Sequence, residues 1–105
     1  MKIVKGYVHH DGSVGVLVQF EVGSDFTVRT EEFQHLATQV CLSLALWMRE
    51  EGDPETLHSS GIILPGSVSM IDEADGTNVE EALVQASKKF KEKISISNVS
   101  FLLGD

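Results

Sequence analysis

The side chains in this sequence that are capable of chemistry are few and scattered. His9-His10-Asp11 is the densest group of candidate metal ligands. On a strand, adjacent residues point to opposite faces, so His9 and His10 do not readily share one ion. The group reads as a polar hairpin tip. His35 and His58 stand at no ligand spacing from another candidate. Cys41 is the single cysteine, which rules out an intramolecular disulfide and a Cys-based zinc site and suits a reducing compartment. It falls on an apolar stripe with Val40 and Leu44, where a thiol behaves as a small hydrophobe. Asp72, Glu73 and Asp75 cluster in a loop and read as solvated carboxylates, not as a general acid/base pair. Gly12 and Gly15 lie within a hairpin and make no phosphate cradle. No serine occupies a nucleophile elbow. These readings point to a protein that is not an enzyme and needs no metal or cofactor.

Binding is the alternative to catalysis, and Phe26 is the residue that suggests it. It stands in a polar turn, Ser24-Asp25-Phe26-Thr27. Two readings are open: a staple packing the turn onto the core, or an exposed aromatic anchor of the kind that dominates interface energetics. Charge narrows the choice of partner. Sixteen acidic residues against eight basic ones give a net charge of −8, which opposes binding to nucleic acid or an anionic membrane. Lys88, Lys89, Lys91 and Lys93 are the one basic cluster and read as the solvated end of a helix. The N-terminal MKIVKGYVHH has neither an apolar signal core nor a transit composition. The apolar stretch at residues 40–48 is too short to span a bilayer. A cytoplasmic protein is expected.

Length and composition fit one domain over residues 1–105. Residues 2–10 and 14–22 read as strands joined by Asp11-Gly12-Ser13, a strong hairpin signal. A two-residue Asp11-Gly12 loop would pair Lys5 with Val18 on the core face. A three-residue loop pairs Val8 with Val16, Gly6 with Val18 and Val4 with Phe20. The second register keeps charge out of the core and is the expectation. It leaves Ile3, Tyr7, His9 and Leu17 on the opposite face, which is apolar enough to meet another chain.

Ser24 is placed to cap a short helical turn at residues 25–29, and Thr30 to cap a long helix. The long helix carries Phe33, Leu36, Ala37, Val40, Cys41, Leu44, Trp47 and Met48 at three- and four-residue spacing, and Gly52-Asp53-Pro54 is expected to stop it. Residues 51–77 show no period. Ile62-Ile63-Leu64 and residues 68–71 suit short strands or loop segments over the core. Asn78 with Glu81 resembles a capping box opening a helix over 79–91, with Val79, Ala82, Leu83, Ala86 and Phe90 inward. Residues 94–103 form a last strand whose apolar phase shifts near Asn98, predicting a bulge. The expected fold class is α+β, a three-stranded antiparallel sheet with helices packed on one face in the order β-β-α-loop-α-β.

Residues 6–37, GYVHHDGSVGVLVQFEVGSDFTVRTEEFQHLA, resemble elongation factor Ts in their tyrosine-x-histidine, glycine-containing hairpin and Asp-Phe turn before a long helix. Residues 79–104, VEEALVQASKKFKEKISISNVSFLLG, resemble the closing helix and strand of that family's core, or dimerisation, domain. Ser24 and Thr27 replace the threonine and valine that flank Asp-Phe in the family pattern, and Lys91 replaces a glycine. The family's N-terminal helical module has no counterpart here, and the middle is shorter. The resemblance implies a guanine nucleotide exchange factor that binds elongation factor Tu and promotes GDP release in translation elongation. The alternative it leaves is an adaptor that binds elongation factor Tu without efficient exchange. It implies partner contacts at Ser24, Asp25, Phe26, Thr27 and His9. It also implies pairing of this single repeat into a homodimer, with Ile3, Tyr7 and Leu17 as the candidate interface.

Overall fold

A computed structural model of the chain describes residues 1–50, Met70 and residues 77–104. Strands β1 (Lys2–Val8) and β2 (Val14–Glu21) form an antiparallel hairpin. A four-residue helix α1 (Asp25–Val28) leads into α2 (Glu31–Glu50). Helix α3 (Val79–Phe90) precedes β3 (Ser95–Leu103), which pairs antiparallel with β2. The sheet order is β1-β2-β3, so the chain's cleanest alternating strand is the central one. The α+β class and the three-stranded antiparallel sheet are as the sequence predicts.

The core lies between this sheet and α2. Val14, Val16, Val18, Phe20 and Val22 face Phe33, Ala37, Val40, Cys41, Leu44 and Met48, all buried. The Phe20 and Phe33 rings meet edge-on at 5.8 Å, a favourable aromatic geometry. Val79, Ala82 and Leu83 of α3 and the buried Met70 extend the same cluster. The expected strands around 62–64 and 68–71, the stop at Gly52-Asp53-Pro54, His58 and the 72–75 carboxylates lie outside the described residues, Met70 excepted.

The hairpin register differs from the sequence expectation. Ile3 pairs with Phe20, Lys5 with Val18 and Tyr7 with Val16, so Ile3, Lys5 and Tyr7 face the helix layer. Two facts make this register tolerable. First, β1 is an edge strand. Second, Lys5 runs its stem inward and donates from Nζ to Gln34 Oε1 of α2 at 2.5 Å. A lysine can cover apolar surface in this way while its head finds a polar partner. The consequence is that Ile3 and Tyr7 pack on the core and do not share a face with Leu17. The expected bulge is present: Gln19 pairs with Asn98 and Phe20 with Ile96, leaving Ser97 as the extra residue.

Helix ends follow their caps. Thr30 Oγ1 accepts from Phe33 N at 3.1 Å, and Asn78 Oδ1 accepts from Glu81 N at 2.8 Å. Helix α3 closes with Lys91 in the left-handed region, at φ 57°. That conformation costs a non-glycine residue about 1–2 kcal/mol. Glycine would remove this cost but lose roughly 0.5–1 kcal/mol through its freer unfolded chain. Lys91→Gly is therefore expected to raise stability by about 0.5–1 kcal/mol, read as a small rise in the urea midpoint with unchanged slope. A fall would contradict the strain assigned to Lys91.

Candidate functional site

The turn between β2 and α2 presents Phe26. Ser24, with extended backbone, is the N-cap of α1, and its Oγ accepts from Thr27 N at 3.4 Å. The Thr27 hydroxyl lies 3.2 Å from the same oxygen. On the other side, Thr30 Oγ1 donates to Thr27 O at 2.8 Å and Gln34 Nε2 donates to Val28 O at 2.7 Å. A four-residue helix has no stability of its own, so these side-chain bonds hold it. Phe26 projects from it with 77% of its surface exposed, so it is not a staple packing the turn onto the core. Asp25 pairs with Arg29 at 2.8 Å, both largely exposed, an (i, i+4) pair that contributes about 0.3–0.5 kcal/mol. Thr27 is buried and serves as support beneath the turn.

His9 sits elsewhere. It lies at the hairpin tip, where Tyr7 Oη is 3.0 Å from its Nδ1 and Arg49 Nη1 is 2.9 Å from its Nε2. An arginine has no acceptor, so Nε2 must accept and the neutral ring carries its proton on Nδ1. Arg49 also reaches Asp11 Oδ2 at 3.3 Å. Ser13, whose amide donates to Oδ1 at 2.9 Å, and then the Arg49 guanidinium hold the Asp11 carboxyl down at about 2, so it stays ionised at neutral pH. The His9 side chain is only 12% exposed. Arg49 is at the far end of α2 from Thr30, about 28 Å along the helix axis. Ser24, Asp25, Phe26 and Thr27 thus form one site, and His9 belongs to another end of the molecule.

Burial pushes the Cys41 thiol up to about 11, against a smaller opposing effect of Lys5, so the thiol is protonated at neutral pH. Among the described residues no group of three His, Cys, Asp or Glu side chains is placed to hold a metal ion. Among the same residues no helix is long and apolar enough to cross a membrane.

Two residues escaped the sequence reading. Glu92, just past α3, accepts a hydrogen bond from Ser24 Oγ at 3.3 Å across 68 positions of sequence. Gly23 leaves room for that contact, since a Cβ there would collide with the Glu92 carboxylate. The available signals were a glycine directly before the cap and an acid inside the Phe90–Ile94 stretch.

The chain is an α+β fold that presents an exposed aromatic ring on a tethered turn. The chain belongs to the elongation factor Ts family. It is 31% identical over 97 residues to elongation factor Ts of Carboxydothermus hydrogenoformans, covering 86% of this chain and 44% of that protein. It is 33% identical over 93 residues to the chloroplastic elongation factor Ts of Rhodomonas salina, covering 88% of this chain and 39% of that one. With elongation factor Ts of Thermotoga petrophila it is 28% identical over 109 aligned positions, 98% of this chain and 53% of the relative. The chain thus spans about half or less of the length of these curated relatives. No protein-family model matches it.

Proposed function

We propose that this chain binds elongation factor Tu through the Ser24-Asp25-Phe26 turn and accelerates its release of GDP. The observation that carries the reading is the 77% exposure of Phe26 on a turn tethered from both sides. An apolar ring held in water by its own fold has most to gain from a partner's pocket. No catalytic side chain is required. A protein that prefers the nucleotide-free GTPase to its GDP form must weaken GDP by the same factor, because binding couplings are reciprocal. A thousandfold weakening needs only ~4 kcal/mol of differential binding. The test is release of fluorescent GDP from elongation factor Tu. Acceleration by substoichiometric protein supports exchange. Tight binding with unchanged release would replace exchange with the adaptor role. No binding at all would end both.

Homodimer formation belongs to the same proposal, and on the outer sheet face its candidate β1 residues become Val4 and Val8 in place of Ile3 and Tyr7. Val4, Val8, Leu17 and Leu102 are exposed there. Their pattern alternates: Val8 and Leu102 flank Gly15, while Gly6 and Ser100 flank Leu17. Such knobs and hollows suit a second copy related by a two-fold axis, each Leu17 entering the partner's Gly15 hollow. Leu17→Lys is expected to give a monomer by light scattering at concentrations where the unaltered chain is a dimer. A monomeric unaltered chain at high concentration would defeat the dimer proposal.

A further inference from the structure

We propose that Glu92 is a positioning residue for the Phe26 contact, acting through the Ser24 cap from the corner between α3 and β3. The inference rests on the reading of Phe26 as the partner contact. The Ser24 hydroxyl has one proton and two lone pairs. It donates to Glu92 Oε1 at 3.3 Å, and its oxygen faces Thr27 N and Thr27 Oγ1 at 3.4 and 3.2 Å. All three capacities are used, and the carboxylate decides which way the proton points. With the proton held by Glu92, both lone pairs turn toward Thr27, which is the orientation a cap needs.

The corner supplying Glu92 is itself fixed. Glu92 N donates to Ser87 O at 3.1 Å, Ile94 N donates to Ser87 Oγ at 3.0 Å, and Ser87 Oγ donates to Leu83 O at 2.8 Å. Glu92 is only partly exposed. The other side-chain ties of α1, through Thr30 and Gln34, come from the start of α2. Glu92 is therefore the tie from the opposite flank among the described residues, and it fixes the N-terminal side of the turn. Gly23 fits this role, because any side chain there would displace the carboxylate.

The arrangement makes an unusual demand on the cap. Aspartate is ordinarily as good an N-cap as serine. At position 24 it would set a second carboxylate against Glu92 with no proton between them.

The test has an arm without partner. Amide hydrogen exchange at residues 26–29 is expected to quicken about tenfold in Glu92→Ala and in Ser24→Asp, with α2 amides unchanged. The double variant Ser24→Asp/Glu92→Gln is expected to recover slow exchange, because the amide can donate to the new carboxylate. With elongation factor Tu, Glu92→Ala is expected to weaken binding roughly five- to tenfold, and to have no further effect once Phe26 is alanine. Unchanged exchange in Glu92→Ala would overturn the clamp. An equal loss of affinity with and without Phe26 would overturn it too, making Glu92 a contact in its own right. If elongation factor Tu does not bind the unaltered chain, the functional reading fails, while the exchange arm still decides the clamp.

Discussion

Phe26→Ala is expected to weaken binding to elongation factor Tu by at least about 2 kcal/mol, roughly 30-fold or more, while leaving the unfolding midpoint within about 0.5 kcal/mol of its starting value. The two halves of the result have one cause. The ring is 77% exposed in the free chain, so its removal opens no cavity and costs the fold little. In a complex the same ring would be desolvated, and its loss would remove a large apolar contact on a support that pays little ordering entropy on docking. Titration of the labelled GTPase measures the first half and urea unfolding the second. Affinity within threefold of the unaltered chain would show that the contact lies elsewhere. A fall in stability of about 2 kcal/mol or more would show that the ring packs on the domain.

The turn was legible in sequence because its determinants are local. A cap residue three before Thr27 and an aromatic among polar neighbours are visible without the fold. Phe26 still had two readings, since nothing in residues 22–30 says whether the core has room for a ring. The core is already closed by Phe20 and Phe33 in contact, which is a tertiary fact. The bulge at Ser97 was visible as a change of apolar phase along one strand. The hairpin register was not, because both faces of β1 carry apolar residues and only Lys5 tips the balance. Its sign depended on Gln34, 29 positions away, waiting at the surface of α2. Glu92 escaped for a similar reason, since its partner is 68 residues distant. Local chemistry reads from sequence, whereas a polar side chain's choice of face depends on which distant group can satisfy it. The same shift moved the candidate pairing surface from Ile3 and Tyr7 to Val4, Val8 and Leu102, with Leu17 common to both.

Phe33→Ala is expected to lower stability by about 3–5 kcal/mol. In a domain whose whole margin is about 5–15 kcal/mol, that is a large share, and it should lower the thermal midpoint by more than 10 °C. Phe33 is fully buried and meets Phe20 edge-on at 5.8 Å, so alanine would leave a cavity between helix and central strand. The site feels this loss indirectly. Phe33 N is the donor that Thr30 Oγ1 accepts, and that hydroxyl in turn ties Thr27 O beneath the Phe26 turn. Loosening the first turn of α2 therefore loosens the floor of the contact. Temperature separates this from a direct role. In the cold, where the Phe33→Ala chain is mostly folded, its affinity for elongation factor Tu should approach that of the unaltered chain, whereas Phe26→Ala should stay weak at every temperature. A Phe33→Ala chain that is stable yet weak in the cold would mean that the Phe33 ring, and not only the fold it supports, shapes the contact.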